Sequence, residues 1–165
     1  PPDSGPRHVA LAQVLADAGC DLLLCETFPH PAEALAAVDA AVGTGLESWV
    51  SFTAGPAGDL MSPSEMRLAA QEAVRRGAAA VLVNCVPARL TLPFVEALSG
   101  LGVPFGAYAN AGHADEGMGW RPSELAPERY GRLADAWVSA GATLVGSCCG
   151  TGPAVVAELA RRFRR

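Results

Sequence analysis

The feature that most constrains this chain is a regular alternation of short apolar segments with helical ones. The apolar segments predict five strands, at 21–26, 48–53, 79–85, 104–109 and 142–146. Helical spacing and start and stop residues predict helices at 7–19, 31–42, 62–76, 90–98, 128–140 and 152–164. Strands that alternate with helices form parallel βαβ units with right-handed crossovers. The sequence therefore predicts an α/β fold with a parallel sheet.

Two architectures fit this alternation: an open doubly wound sheet and part of a (β/α)₈ TIM barrel. The chain has 165 residues, whereas a complete barrel typically needs about 250. Periodicity alone does not choose between the two.

Composition and charge exclude several classes of protein. Half of the residues are hydrophobic and 18% are charged, which supports a core and argues against disorder. The net charge is −5 and no basic stripe precedes the tail arginines, so we expect no nucleic-acid partner. Those tail residues are expected to complement the dipole of the last helix; they are Arg161, Arg162, Arg164 and Arg165. No apolar run approaches the ~20 residues that span a bilayer, so no membrane partner is expected, and residues 1–6 do not resemble a signal peptide.

The cysteines favour a reducing compartment. There are five, an odd number, and two of them are adjacent, which fits a disulfide scaffold badly. We therefore expect a cytoplasmic protein whose clustered thiols bind a metal or take part in catalysis. Cys20 and Cys25 are expected to pack in the core.

Polar side chains gather where the predicted strands end. They include Glu26, Ser51, Asn84, Asn110 and Ser147. Barrels and open α/β sheets both place their sites at the carboxyl ends of parallel strands. This edge is therefore the predicted functional site.

Three thiols at two of these strand ends predict a metal site. Cys85 ends the third predicted strand, and Cys148 and Cys149 follow the fifth. Three protein ligands with one open position are typical of catalytic zinc, whereas a structural site uses four. Core packing of free cysteines and a vicinal disulfide between residues 148 and 149 are the alternatives.

Four motifs, taken together, resemble those of the homocysteine S-methyltransferase family. They are Cys-Glu-Thr-Phe-Pro at 25–29, Val-Asn-Cys-Val-Pro at 83–87, Ala-Asn-Ala-Gly at 109–112 and Gly-Ser-Cys-Cys-Gly-Thr-Gly-Pro at 146–153. Their order and spacing match across essentially the whole chain. One departure is Ser147, where the family usually has glycine.

The resemblance implies a zinc-dependent (β/α)₈ barrel in which Cys85, Cys148 and Cys149 bind Zn²⁺. It also implies that residues 1–165 form one domain holding strands four to eight and lacking the N-terminal three βα units. For the substrate, the resemblance favours Glu26 as the partner of an ammonium group. The turn around Thr151 opens the last predicted helix, so its free N–H groups are candidates for holding the substrate carboxylate, with ordinary helix capping as the alternative. Asn110 is expected to contact the metal region or to occupy the open coordination position without substrate.

The reaction implied is methyl transfer from a small donor to the thiol of homocysteine, giving methionine. The segment 49–53 (Trp-Val-Ser-Phe-Thr) is more similar to the branch that uses S-methylmethionine or S-adenosylmethionine than to the betaine or folate branches.

Two alternatives remain open. The chain could be a truncated, non-catalytic half-barrel that binds zinc or a partner and self-associates through its open barrel edges. It could instead be a phosphate-binding barrel that uses the loop at 150–153, although that function leaves the three thiols without a role.

Overall fold

A computed structural model describes residues 4–121 and 123–164 of the chain. Within them lies one five-stranded sheet whose strands are neighbours in chain order, each pairing in parallel with the next. The strands are β1 (Leu22–Phe28), β2 (Glu47–Phe52), β3 (Ala80–Pro87), β4 (Phe105–Asn110) and β5 (Leu144–Ser147). The predicted α/β fold and parallel sheet are confirmed, and the sequential strand order is that of part of a TIM barrel.

Six α-helices connect and flank these strands. They are α1 (Ser4–Asp17), α2 (Pro31–Val42), α3 (Pro63–Arg75), α4 (Leu92–Leu98), α5 (Ala126–Ser139) and α6 (Pro153–Phe163). All six predicted helices are present, and their observed bounds differ from the predicted ones by at most three residues. The long loop before α5, which includes the undescribed Pro122, contains a short 3₁₀ turn at Ala114–Glu116.

Local sequence explains where the helices begin. Ser62 and Glu65 form a reciprocal capping box at the start of α3, and Pro63 occupies the first turn, where a missing N–H costs nothing. Pro31 and Pro153 begin α2 and α6 in the same way. None of the helices in the described part of the chain is long and apolar enough to cross a membrane.

Charged side chains join the last two helices. Arg162 of α6 pairs with Asp135 of α5 and with Glu158 of its own helix, and Arg161 also pairs with Glu158. Two of the tail arginines therefore have specific acidic partners besides the helix dipole. Arg165 lies outside the described residues.

The main core lies between one face of the sheet and helices α2 to α6. From the strands it receives Val50, Phe52, Val81 and Val83, which are all fully buried. Alternate residues of the same strands point to the opposite face. There Leu24, Trp49, Leu82, Tyr108 and Leu144 line a cavity that the helices do not cover. In a closed barrel this second face is the interior.

Several apolar side chains of α1 are largely uncovered. Leu11 is 57% exposed and Leu15 is 39% exposed, and both line a groove between α1 and the outer strand β1. Leu24 of β1, at 40% exposure, belongs to the same groove. This apolar surface lies along one open edge of the sheet.

Tyr130 joins the two strands at the other edge. Its side chain is fully buried, and its hydroxyl oxygen accepts a hydrogen bond from the Ala109 N–H at 2.9 Å. The hydroxyl hydrogen can be donated to either of two carbonyl oxygens, of Ala109 or of Gly146, each also 2.9 Å away. One hydroxyl therefore bridges the ends of β4 and β5.

We expect Tyr130→Phe to lower the free energy of unfolding by about 1–3 kcal/mol, because buried backbone groups lose a hydrogen-bond partner. Urea unfolding followed by circular dichroism measures the change. Tyr108→Phe is the matched control: its hydroxyl contacts the exposed Glu26 carboxylate, where water can replace the lost bond, so the loss should be smaller. Equal losses in both variants would contradict the bridging role of Tyr130.

Candidate metal centre

The structure brings the three predicted thiols together at the carboxyl edge of the sheet. The Sγ atom of Cys85 is 3.0 Å from that of Cys148 and 3.4 Å from that of Cys149. The Cys148 and Cys149 sulfurs are 3.8 Å apart. Among the described residues, these three cysteines form a cluster whose ligand atoms lie close enough together to share one metal ion.

These sulfur–sulfur distances fit a tetrahedral zinc site. Zinc–thiolate bonds of about 2.3 Å at tetrahedral angles place two sulfurs about 3.8 Å apart. One pair already has that separation, and the other two pairs would need to open by less than about 1 Å to reach it. Three thiolates in this arrangement would leave the fourth tetrahedral position of the ion open.

Backbone strain at Cys85 directs its thiol to this point. Cys85 has a φ of 53°, in the left-handed region that side chains other than glycine rarely adopt. The regular pairing of β3 with β4 is interrupted between Asn84 and Pro87, so the chain bends at the cysteine. The amide of Asn110 donates a 2.7 Å hydrogen bond to the Cys85 carbonyl oxygen, which holds the bent backbone in place.

A polar network centred on the buried side chain of Asn84 supports this bend. Asn84 is 1% exposed, and its side-chain oxygen accepts a 2.9 Å hydrogen bond from the hydroxyl of Ser51 on β2. Its amide nitrogen donates a 2.8 Å bond to the hydroxyl of Thr27 on β1. Thr27 also has a left-handed backbone, with a φ of 67°. The residue before Cys85 is therefore held from two strands at once.

The adjacent cysteines lie on a turn that is pinned to β4. The Cys148 N–H donates to the Ala109 carbonyl oxygen at 2.8 Å, and the Ala111 N–H donates to the Cys149 carbonyl oxygen at 2.9 Å. The Thr151 hydroxyl donates back to the Cys148 carbonyl oxygen at 2.6 Å. Two backbone hydrogen bonds thus fix the turn to the end of β4, and one side-chain hydrogen bond within the turn stabilises its shape.

The surroundings of Cys85 disfavour its deprotonated, thiolate form when no metal ion is bound. Burial, followed by hydrogen bonding with Cys148 and Cys149, raises the pKa of Cys85 to about 12. Without a cation, Cys85 is therefore protonated at neutral pH. Binding of a divalent ion must release this proton, so metal affinity should increase with pH.

A hydrogen-bonded pair, Glu26 and Tyr108, spans the face of the sheet that the helices do not cover. Glu26, at the end of β1, is exposed, and its carboxylate accepts a 2.9 Å hydrogen bond from the hydroxyl of Tyr108 on β4. Burial raises the pKa of Tyr108, and its contact with Glu26 acts in the same direction. At neutral pH the Tyr108 hydroxyl therefore keeps its proton and can donate it to the carboxylate.

The predicted substrate residues differ in what their side chains contact. Glu26 keeps an exposed carboxylate. The side chain of Asn110 is engaged by backbone groups at both ends, since its oxygen also accepts from the Gly112 N–H at 2.8 Å. Thr151 likewise uses its hydroxyl on the cysteine turn. Substrate contact by these three residues stays a prediction.

The sequence predicts the position of some site residues but not their side-chain contacts. Ser51 and Thr27 could be found by their position at strand ends, but their link through Asn84 could not. The partnership of Tyr108 with Glu26, 82 residues apart, carries no local sequence signal.

We expect Asn84→Leu to weaken metal binding by about 10- to 100-fold, because the support of a metal ligand is lost. Cobalt(II) titration, followed by the sulfur-to-cobalt absorption band, measures the affinity. Ser51→Ala is a milder variant that removes one of the two bonds and should have a smaller effect in the same direction.

Ser48→Ala is the matched control for Ser51→Ala. Ser48 is another buried serine of β2, but it lies at the start of the strand and bonds to the Leu46 carbonyl oxygen. It should leave cobalt affinity unchanged. An unaltered affinity in folded Asn84→Leu protein would show that the network does not support the cysteine.

Comparisons with known proteins relate this chain to one family. The model of the family described as homocysteine S-methyltransferase matches residues 7–163. A homocysteine S-methyltransferase of Escherichia coli (strain K12) is 34% identical over 94% of this chain and 52% of its own length. One of Bacillus subtilis (strain 168) is 33% identical over 93% of this chain and 50% of its own length. The chain thus spans about half the length of the relatives it matches.

Solved structures support the fold. A putative phosphonomutase from Burkholderia cenocepacia superposes with a TM-score of 0.67 at 16% identity, covering 93% of this chain and 71% of that one. At this identity the likeness shows the architecture alone. The family model, by contrast, matches the amino-acid sequence itself over nearly the whole chain. By this match the chain belongs to the homocysteine S-methyltransferase family.

Proposed function

We propose that this chain forms the zinc-binding part of an enzyme that transfers a methyl group to the thiol of homocysteine, giving methionine. The observation that carries the proposal is the convergence of three thiols, from two strands, within 3.8 Å of one another. Core packing does not explain it, since Cys149 is exposed and Cys85 has a strained backbone.

The chemistry needs a sulfur nucleophile at neutral pH. A free thiol has a pKa near 8.5 and is mostly protonated there. Zinc held by Cys85, Cys148 and Cys149 would bind the substrate sulfur as a thiolate and remove that proton. Three thiolate ligands also carry more negative charge than the ion neutralises, which keeps the bound sulfur electron-rich.

The rest of the amino acid substrate needs charged partners nearby. Glu26 is suited to the ammonium group, because Tyr108 fixes one carboxylate oxygen by a 2.9 Å bond and the side chain remains exposed. The turn at Thr151 leads into α6, whose N-terminal end favours a carboxylate. Asn110, bonded to the Cys85 backbone, would act by shaping the metal region.

The donor proposed is a sulfonium compound, S-methylmethionine or S-adenosylmethionine. Its sulfur–methyl bond breaks as the new bond forms to the homocysteine sulfur, and the thiol proton is lost to solvent. The donor thereby becomes a neutral thioether. An in-line displacement of this kind depends on holding the methyl carbon close to the attacking sulfur.

The barrel would require more chain than is present here. Five strands are described, whereas a (β/α)₈ barrel has eight. We propose that residues 1–165 act as one domain that is completed by three βα units placed between β5 and β1. Free thiols at the site are best suited to a reducing compartment, and we propose the cytoplasm.

The test uses the longest natural polypeptide that contains these residues. It should bind one equivalent of zinc and form methionine from homocysteine with at least one sulfonium donor, and a chelator should abolish activity until zinc is restored. Cys85→Ser should lose zinc and at least about 100-fold in activity. Cys20→Ser is the control, since this half-buried cysteine lies outside the thiol group. A folded protein without zinc and without methionine formation would refute the proposal.

A second function is favoured by the uncovered groove between α1 and β1. The chain by itself would then be a non-catalytic half-barrel that binds zinc and associates with a second copy. Exposed Leu11, Leu15 and Leu24 supply an apolar surface at a sheet edge that has no partner strand in the described structure.

For this second function we expect the isolated 165-residue chain to associate with increasing concentration in light scattering and sedimentation. The double variant Leu11→Gln/Leu15→Gln should shift the chain toward monomer, because it makes the groove polar. Leu68→Gln is the control: Leu68 is 66% exposed on α3, away from the open edge, and its substitution should change nothing. A monomer at all concentrations would argue against association.

A further inference from the structure

We propose that Trp120 recognises the positive charge of the methyl donor by a cation–π contact. This inference rests on the proposed methyl transfer and adds to it the residue that selects a sulfonium donor. It starts from an exposed aromatic side chain, 52% accessible, that is nevertheless fixed at the metal centre.

The loop that carries Trp120 is packed on the cysteine turn. The indole N–H of Trp120 donates a 2.6 Å hydrogen bond to the Gly112 carbonyl oxygen. A methyl group at Gly119 would lie 2.2 Å from the carbonyl oxygen of Gly150, so the two backbones are in close contact. Met118 anchors the loop by its buried side chain, which is 2% exposed.

The indole ring itself lies flat against the residue that follows Cys149. A Cβ atom at Gly150 would be 2.4 Å from Cε2 and 2.5 Å from Cδ2 of Trp120. These two carbons are shared by both rings and are enclosed in the ring plane by other ring atoms, so contact with them comes from a face. Gly150 therefore covers one face of the indole, while half of the side chain remains accessible.

This placement suits the geometry of the reaction. The acceptor sulfur would be bound next to Cys149, and the donor methyl must come within about 3.5 Å of it. The donor sulfur then lies within one further bond length of that carbon, at the same rim. Trp120 is held at this rim by Gly112 and Gly150.

The chemistry of the indole matches that of the donor. The face of an aromatic ring carries partial negative charge, tryptophan most strongly, and it binds cations that are weakly hydrated. A sulfonium group is such a cation, because alkyl groups surround its charge. After methyl transfer the donor is a neutral thioether and loses this attraction. Trp120 would therefore favour donor over spent donor at the same position.

The experiment compares binding of charged and neutral ligands by the zinc-loaded, longest natural polypeptide. Trp120→Leu should raise the Kd for S-methylmethionine, measured by calorimetry without homocysteine, and its KM in turnover, by about 5- to 30-fold. Trp120→Phe should have a smaller effect, because it retains an aromatic face. The Kd for neutral methionine, the KM for homocysteine and the zinc content should change less than about two-fold, since none of them involves the cation–π contact.

Arg121→Ala is the matched control, since it alters the next exposed residue of the same loop without removing the ring; its donor Kd should equal that of the wild type. Equal weakening of S-methylmethionine and methionine by Trp120→Leu would overturn charge recognition, as would no weakening of either. Wild-type turnover with a sulfonium donor, unaffected by Trp120→Leu, would refute this inference alone. A wild type that neither binds nor uses such donors would refute both the inference and the proposed function.

Discussion

Parallel pairing of five strands in chain order is the constraint on which every other feature of this protein depends. Because each strand runs in the same direction, all carboxyl ends lie on one edge of the sheet. Residues 63 and 64 positions apart in the chain can then place their sulfurs within 3.0–3.4 Å of each other. Reversing β3 or β5 would place Cys85 and the Cys148–Cys149 pair at opposite edges of the sheet.

The site combines hydrogen-bonded residues that hold the strand ends with reactive and charged side chains that are exposed. Asn84, with Ser51 and Thr27, and the hydroxyl of Tyr130 are tied into hydrogen bonds that fix strand ends. The groups with reactive or charged atoms, Cys149 and Glu26, are exposed in front of them. Left-handed backbone at a non-glycine residue costs of order 1 kcal/mol or more and persists only where surrounding contacts hold it. At Cys85 these contacts are the Asn84 network and the amide of Asn110.

The open edge and the metal centre present two different surfaces. The groove beside α1 is apolar and exposed, as expected of a surface that further βα units or a second copy would cover. The rim near Trp120 is also exposed, but there the aromatic ring is held by a hydrogen bond and by close backbone contact. The first surface is suited to assembly, and the second to a small ligand.

The sequence alone was sufficient to predict the α/β class, all five strands and six helices, and the three cysteines as one group, because apolar periodicity, helix-start residues and strand-end polarity are local signals. It could not reveal that Asn84 bonds to Ser51 and Thr27, that Tyr108 holds Glu26, or that Tyr130 joins β4 to β5. Nor could it show that apolar side chains of α1 are uncovered, or that Trp120 lies on Gly150. Those facts depend on which side chains meet across strands and loops, and only tertiary packing brings residues so distant in the chain into contact.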